Sequence, residues 1–554
     1  MGTDPVERFK SERGNHFEGP QTGQQPVGRW EDPLPVEAFK VGRRTRSSPR
    51  SGKPATWRRG PADSQLLRNA QSALMNIGDP WPDLEEAELR VWTMQTKLHQ
   101  WAITDPDRCF DDLNNLVYDP SFLVVAWSRV RDNKGGRTAG VDGVIPRSLD
   151  VQAGDVLAEL RETLKARRFT PERVREKLIP KANGKVRRLG IPTALDRTVQ
   201  ASLKLILEPI FEADFKPCSY GFRPKRRAQD AIAEIHYFGS RHYEWVFEAD
   251  ITACFDEIDH VALMDRVRRR IKDRRILDLV KAFLKSGILS EDGLDRRTIT
   301  GTPQGGILSP LLANIALSVI DEHFSAKWEA LGPYWTRAKA RREGTPSMRL
   351  VRYADDFVVM IHGTRDDAQA LYGEVATVLA PMGLRLSEDK TRVCHINEGF
   401  DFLGWRIQRR RKRGQEGKWA VYTYPSKKAL LSVVDKVREL TRREKHKTLA
   451  LLLRSLNAVL RGWCNYFRHG VCSATFGYLD HIAWWRVVGW LRKRHFGLNW
   501  GTLRRRYLVN WQIRDGRTEM FRPNAIPIVR YRFRGARIPT PWTMAQSGSL
   551  APMA

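Results

Sequence analysis

Cysteine is scarce and unpaired: six residues in 554, Cys109, Cys218, Cys254, Cys394, Cys464 and Cys472, with no Cys-x-x-Cys among them. That usage argues against a disulfide framework and a zinc ribbon, and it fits a reducing, intracellular compartment. Also missing is any apolar run long enough to span a bilayer, and the polar N-terminus has no hydrophobic signal core, so a soluble protein is expected. Acid is in short supply too. Against 94 Lys and Arg stand 64 Asp and Glu, a formal net charge of +30, and an excess of that size points to nucleic acid. A solvated basic surface or a ribosome-like structural binder has the same composition. The length allows ample core and implies roughly three or four domains.

What is present centres on Met348–Ile361, where Asp355 and Asp356 interrupt an apolar, β-branched run. Leu350-Val351 and Phe357-Val-Val-Met-Ile361 are strand formers, so the stretch reads as a β-hairpin with its acids at the turn. Two carboxylates held there repel each other, and a divalent cation such as Mg²⁺ removes that cost. A third acid, Asp250, ends another apolar strand, Trp245-Val-Phe-Glu-Ala-Asp250. Three such carboxylates suit two metal ions in an in-line phosphoryl transfer, one activating the attacking hydroxyl and one stabilising the leaving oxygen.

Elsewhere the pattern is mixed. Lys40 to Arg59 carries eight basic residues and no acid and reads as part of a disordered basic arm. Leu84, Leu89, Trp92, Leu98 and Trp101 form an apolar helical stripe, and helices are expected over Pro120–Val130 and Asp196–Phe215. Leu178 to Thr193 reads as a hairpin around Asn183-Gly184 with basic side chains. Ser309 is a candidate N-cap for a helix over Leu311–Phe324, with Pro310 in its first turn. Gly305 and Gly306 let backbone approach a ligand closely. Asp256 and Asp259 read as turn and helix-start residues. Arg406–Arg413, six basic residues in eight, marks a junction. Beyond Pro425, Leu449, Leu452, Leu453, Leu456, Val459, Leu460 and Trp463 recur at helical spacing.

Tyr353-Ala-Asp-Asp356, the stretch Asp250 to Phe255 and Thr302-Pro-Gln-Gly-Gly-Ile-Leu-Ser-Pro310 together resemble a reverse transcriptase of the group II intron maturase family. The resemblance implies an α+β right-hand polymerase. Residues 1–85 would be a basic extension, 86–405 fingers and palm, 406–500 a helical thumb or maturase domain, and 501–554 a basic DNA-binding tail. It implies two Mg²⁺ at Asp250, Asp355 and Asp356, with Ile251 beside them. Lys181 and Arg187 would hold the triphosphate, Phe255 would exclude a 2′-hydroxyl, and Gln304 and Lys390 would complete the nucleotide site. Phe255 as an ordinary core residue is the competing reading. Arg223, Gly305, Gly306 and Tyr353 would contact template or primer, and Phe402, Leu403 and Gly404 would grip the primer end. Arg461, Trp463, Tyr466 and Arg468 interleave aromatics with cations, as contacts to intron RNA require.

The implied function is RNA-directed DNA synthesis, with intron-RNA binding that assists splicing and target-primed reverse transcription that supports mobility. Its partners would be intron RNA, a DNA target and primer and deoxynucleoside triphosphates, without a membrane. The resemblance allows a homodimer and suggests a bacterial cytoplasm, associated with the nucleoid. No paired cysteines and histidines of a metal-dependent nuclease follow the tail, so a primer is expected from elsewhere, for instance a replication fork. Two other readings stay open: a domesticated reverse transcriptase used in defence or diversification, and a non-enzymatic RNA chaperone with a relic palm. Intron sequence flanking the gene separates the first. All three acids being kept argues against the second.

Overall fold

The computed structural model describes residues 81–543 apart from 181–183, 185, 291–293, 297–299, 413, 443–445 and 447. The basic arm and Lys181 lie outside the described residues. The N-terminal helices start where polar side chains satisfy their first amides. Asp83 caps α1 (Leu84–Thr104), Asp119 caps α2 (Pro120–Asp132), and Thr193 caps α3 (Ala194–Asp214).

Helix α1 is rotated from the expected stripe. Leu98 is buried, while Leu84, Leu89, Trp92 and Trp101 face solvent. The inner face carries Gln95 and His99 instead, because α3 has a proline inside it at Pro209. Pro209 has no N–H to give the Leu205 carbonyl one turn earlier; Gln95 Nε2 donates to that carbonyl at 2.7 Å, and His99 Nδ1 meets the Pro209 carbonyl at 2.7 Å. A broken ladder on α3 thus draws polar side chains inward.

Between α2 and α3 lies an antiparallel hairpin of β1 (Val174–Pro180) and β2 (Val186–Ile191), with Pro180 opposite Val186. The central sheet follows, interleaved with α4 (Ala228–Gly239), α5 (Ser309–Ala330) and α6 (Tyr334–Arg342). Its strands are β3 (Trp245–Ala249), β4 (Ser347–Tyr353), β5 (Asp356–His362) and β6 (Arg392–His395), in the antiparallel order β4-β5-β3-β6. Alternate residues of β5 enter two cores: Phe357, Val359 and Ile361 join the N-terminal helices, whereas Val358 and Met360 join the C-terminal ones. Burial on both faces is why β5 is apolar throughout.

A second sheet, β7 (Phe400–Phe402), β8 (Trp405–Arg411) and β9 (Trp419–Pro425), contains most of the basic run expected to be a junction. Helices resume after it as α7 (Lys427–Leu440), α8 (Leu449–Phe467) and α9 (Ser473–Arg494). Leu449, Leu452, Leu453, Leu456 and Leu460 of α8 are buried. Much of the expected basic tail folds back over the body: Arg522 pairs with Asp480, Arg534 pairs with Asp230 of α4, and Trp542 is buried with its indole donating to Gln95 of α1. Its cations are therefore partly internal. No helix among the described residues is long and apolar enough to cross a membrane.

Replacing Gln95 with Ala strands the Leu205 carbonyl in the interior, so the variant should lose about 1–3 kcal/mol in urea unfolding. An unchanged midpoint would show that the carbonyl finds another donor.

Candidate active site

Strand geometry brings the three acids to one end of the central sheet. Ala249 pairs with Phe357, which sets Asp250, the next residue on, beside Asp356 at the start of β5. Strands β4 and β5 close through Ala354-Asp355, with Tyr353 opposite Asp356. Ala354 has φ +58°, the sign of the first position of a type II′ turn, where glycine is usual.

That turn is held from beneath by Arg352, whose side chain has 0% exposure. Its Nε and Nη2 donate to Asp321 of α5 at 2.7 and 2.5 Å, Nη1 donates to Asn314 Oδ1 and to the Ala354 carbonyl, and Nη2 also reaches Ser219 Oγ. All five guanidinium N–H groups are used. Asn314 in turn donates to the Gly221 carbonyl at 2.9 Å. Gly221 lies flat against the turn, where a Cβ would overlap the Ala354 amide nitrogen and stand 2.8 Å from the Tyr353 carbonyl carbon. Only glycine permits that approach.

The electrostatics follow from crowding. Burial raises the pKa of Asp355, and the Asp250 charge raises it further. The chain packed around it and the other two carboxylates push Asp356, whose side chain is itself exposed, up to about 6. The Lys390 ammonium donates to Asp250 Oδ2 at 2.5 Å. Among the described residues no trio of His, Cys, Asp or Glu is gathered closely enough to enclose an ion; the Lys390 ammonium supplies positive charge beside Asp250. Hard oxygen donors that repel one another fit a divalent cation such as Mg²⁺.

In front of the acids lies a cleft of about 670 Å³. Asp250, Ile251, Asp355 and Asp356 line it, together with Arg187, Phe255, Gln304, Gly305, Gly306 and Lys390. Phe402 and Leu403 line an adjoining groove with Asp250, Asp356 and Lys390. Leu403 and Gly404 form the two-residue turn between β7 and β8, both at positive φ as in a type I′ turn. Tyr353 is half-buried behind the acids.

Several expected roles change. Arg223 does not reach a phosphate path: its side chain is 2% exposed and is saturated by Glu212 and the carbonyls of Phe215, Lys216 and Ser219. A buried carboxylate has claimed the charge. The close approach made by Gly305 is internal, since a Cβ there would meet the Gly190 carbonyl of the hairpin at 2.6 Å. Ser309 is the first residue of α5 rather than its cap, and its hydroxyl donates to the Pro303 carbonyl. Tyr466 is a tie and not an open stacking platform, because its hydroxyl donates to the Leu403 carbonyl at 2.9 Å. Trp463 is half-buried against Phe467, at 4.6 Å between ring centroids. Arg461 is exposed, with its guanidinium over Phe521, and Arg468 is half-buried.

Asp256, read as a turn residue, proves to be part of the cleft. Its Oδ2 accepts from Gln304 Nε2 at 3.1 Å, and Thr302 N–H donates to the Phe255 carbonyl at 2.6 Å. Phe255 and Gln304 therefore sit on one zipped unit. The spacing of an acid one residue beyond Phe255 was the only available signal for it. Arg352 was signalled more clearly, as one of two cations, with Arg349, in an otherwise apolar strand.

Residues 179–407 match the family model described as reverse transcriptase (RNA-dependent DNA polymerase), and residues 430–508 match that described as group II intron, maturase-specific domain. The chain is 39% identical over 355 residues to protein YkfC of Escherichia coli (strain K12), covering 61% of this chain and 93% of that protein. It is 30% identical over 448 residues to group II intron-encoded protein LtrA of Lactococcus lactis subsp. cremoris, covering 68% and 73%. Nuclear intron maturase 1, mitochondrial, of Arabidopsis thaliana is 26% identical over 307 residues, covering 41% and 43%.

Because the Asp356 pKa is raised on folding, the stability it withholds is lost as pH rises through about 6. Asp356→Asn should therefore melt higher than the parent at about pH 8, with the gap narrowing by about pH 5. Equal melting temperatures at both pH values would mean that the carboxylates do not repel.

Proposed function

We propose that this chain, which belongs to the family of group II intron-encoded reverse transcriptases with a maturase domain, makes DNA on an RNA template and holds its intron RNA for splicing. The observation that carries the reading is the convergence of Asp250, Asp355 and Asp356 with Arg187, Phe255 and Gln304 in one cleft. In right-hand terms the central sheet is the palm, the β1–β2 hairpin belongs to the fingers, and α7 to α9 make the thumb.

Asp250, Asp355 and Asp356, with the Ile251 backbone beside them, would hold two Mg²⁺. When bound, these ions lower the pKa of an attacking hydroxyl and stabilise the leaving phosphate oxygen. The remaining work belongs to the chain. Arg187 neutralises the triphosphate together with Lys181. Phe255, in the wall of the cleft, would collide with a 2′-hydroxyl, so that a deoxyribose is accepted. Gln304, its amide oriented by Asp256, abuts the new base pair, and Gly305 and Gly306 shape the adjacent wall. Lys390 releases Asp250 as the site charges and turns to the incoming phosphates. Phe402, Leu403 and Gly404 seat the primer end, and Tyr353 backs the turn.

Intron RNA is assigned to the C-terminal helical domain, where Arg461 and Arg468 supply charge while Trp463 and Tyr466 shape the surface. The exposed Arg504, Arg505 and Arg506 are the DNA contacts, and target-primed synthesis is the route to mobility.

Primer extension on an RNA template with Mg²⁺ tests this. Asp355→Ala should fall to background while still binding RNA. Phe255→Ala should raise ribonucleotide use by about 10- to 100-fold, the range of a steric pocket contact. Extension that survives Asp355→Ala would remove the acids from the chemistry.

A further inference from the structure

Helix α6 joins α5 to the edge strand β4, and none of its residues is buried. Its sequence is Tyr334-Trp-Thr-Arg-Ala-Lys-Ala-Arg-Arg342, four cations and no acid. The helix is pinned on one side only: Arg337 lies over the Trp328 ring at 4.6 Å, and Arg341 lies over the Tyr243 ring with Nη1 3.4 Å from its hydroxyl. On the other side, Trp335, Lys339 and Arg342 follow one another at i, i+4 and i+7 and share an outward stripe, on which Lys339 makes an exposed, solvent-screened pair with Glu343 at 3.8 Å. Trp335 is 78% exposed and Tyr334 60%, and the two rings meet edge to face at 5.3 Å.

Favourable charge at a helix C-terminus accounts for the cations. It does not account for an indole left in water at the head of the same stripe. An exposed aromatic ring with cations one and two turns further on suits a nucleobase and the phosphates that follow it. The surface is also remote from the cleft. Tyr243 and Ser347, bonded through their hydroxyls at 2.9 Å, mark the end of the sheet opposite the acids, about 20 Å away by the rise of β4.

We infer that the outward stripe of α6 is a second RNA-binding surface, taking single-stranded RNA with a base on Trp335 and phosphates on Lys339 and Arg342. This rests on the reading of the protein as an RNA-binding polymerase. The net charge of +30 and four cations on the helix against Glu343 at its C-cap favour a polyanion, and the ring favours one with accessible bases.

The test uses the full chain and a 4-thiouridine-bearing oligouridylate, with the cleft first filled by excess unlabelled primer–template. Irradiation should cross-link the probe to the peptide containing Trp335. The variant Trp335→Ala/Lys339→Ala/Arg342→Ala should lose that cross-link and bind the probe about 10-fold more weakly, with a log–log salt slope shallower by about 1–2. Trp335→Phe should keep most of the binding. Primer extension should be unchanged in all of them. An unaltered affinity and salt slope in the triple variant overturns the inference, as does binding of anionic vesicles through this stripe without the RNA cross-link. A parent chain that cross-links here but never extends a primer would sink the polymerase reading and leave this one standing.

Discussion

A fully buried guanidinium, that of Arg352, seats the turn on which the acids stand. Removing such a charge from water costs several kcal/mol, and the cost is met only when every donor finds a partner. Here each one does, from Asp321 and Asn314 on α5, Ser219 on the preceding loop and Ala354 in the turn itself. An apolar pair of the same volume could be as stable, but it would not point hydrogen bonds at the Ala354 carbonyl. The network gives position more than stability. Gly221 completes it by letting a second backbone lie against the turn, where any side chain would displace Asp355.

The central sheet also links the two ends of the protein. One face of β5 belongs to the N-terminal core and the other to the C-terminal helical core. The Tyr466 hydroxyl reaches the Leu403 carbonyl, and the returning segment fastens Arg534 to Asp230 and Trp542 to α1. The surface assigned to intron RNA and the surface assigned to the primer are therefore mechanically continuous, although different residues serve them.

The hairpin and its acids were legible because two-sided burial writes an apolar run and charge interrupts it. The helical stripe from Leu449 to Leu460 was legible for the same reason. What failed to show was who partners whom. The stripe on α1 pointed outward because Pro209, a hundred residues away, leaves a carbonyl that Gln95 turns inward to meet. Arg223 looked available for phosphate, yet Glu212 lies behind it. Asp256 looked like a turn residue until the Gln304 loop folded onto it. Such pairings are properties of the tertiary fold, and no local pattern carries them.

The most direct measurement is single-turnover incorporation of one deoxynucleotide by Gly221→Ala on a preformed RNA template–DNA primer. A methyl group there would press on the Tyr353-Ala354 backbone of the turn. Primer–template affinity should match the parent while the incorporation rate collapses. Incorporation at the parental rate in a folded variant would contradict the claim that the seating of this turn governs the chemistry.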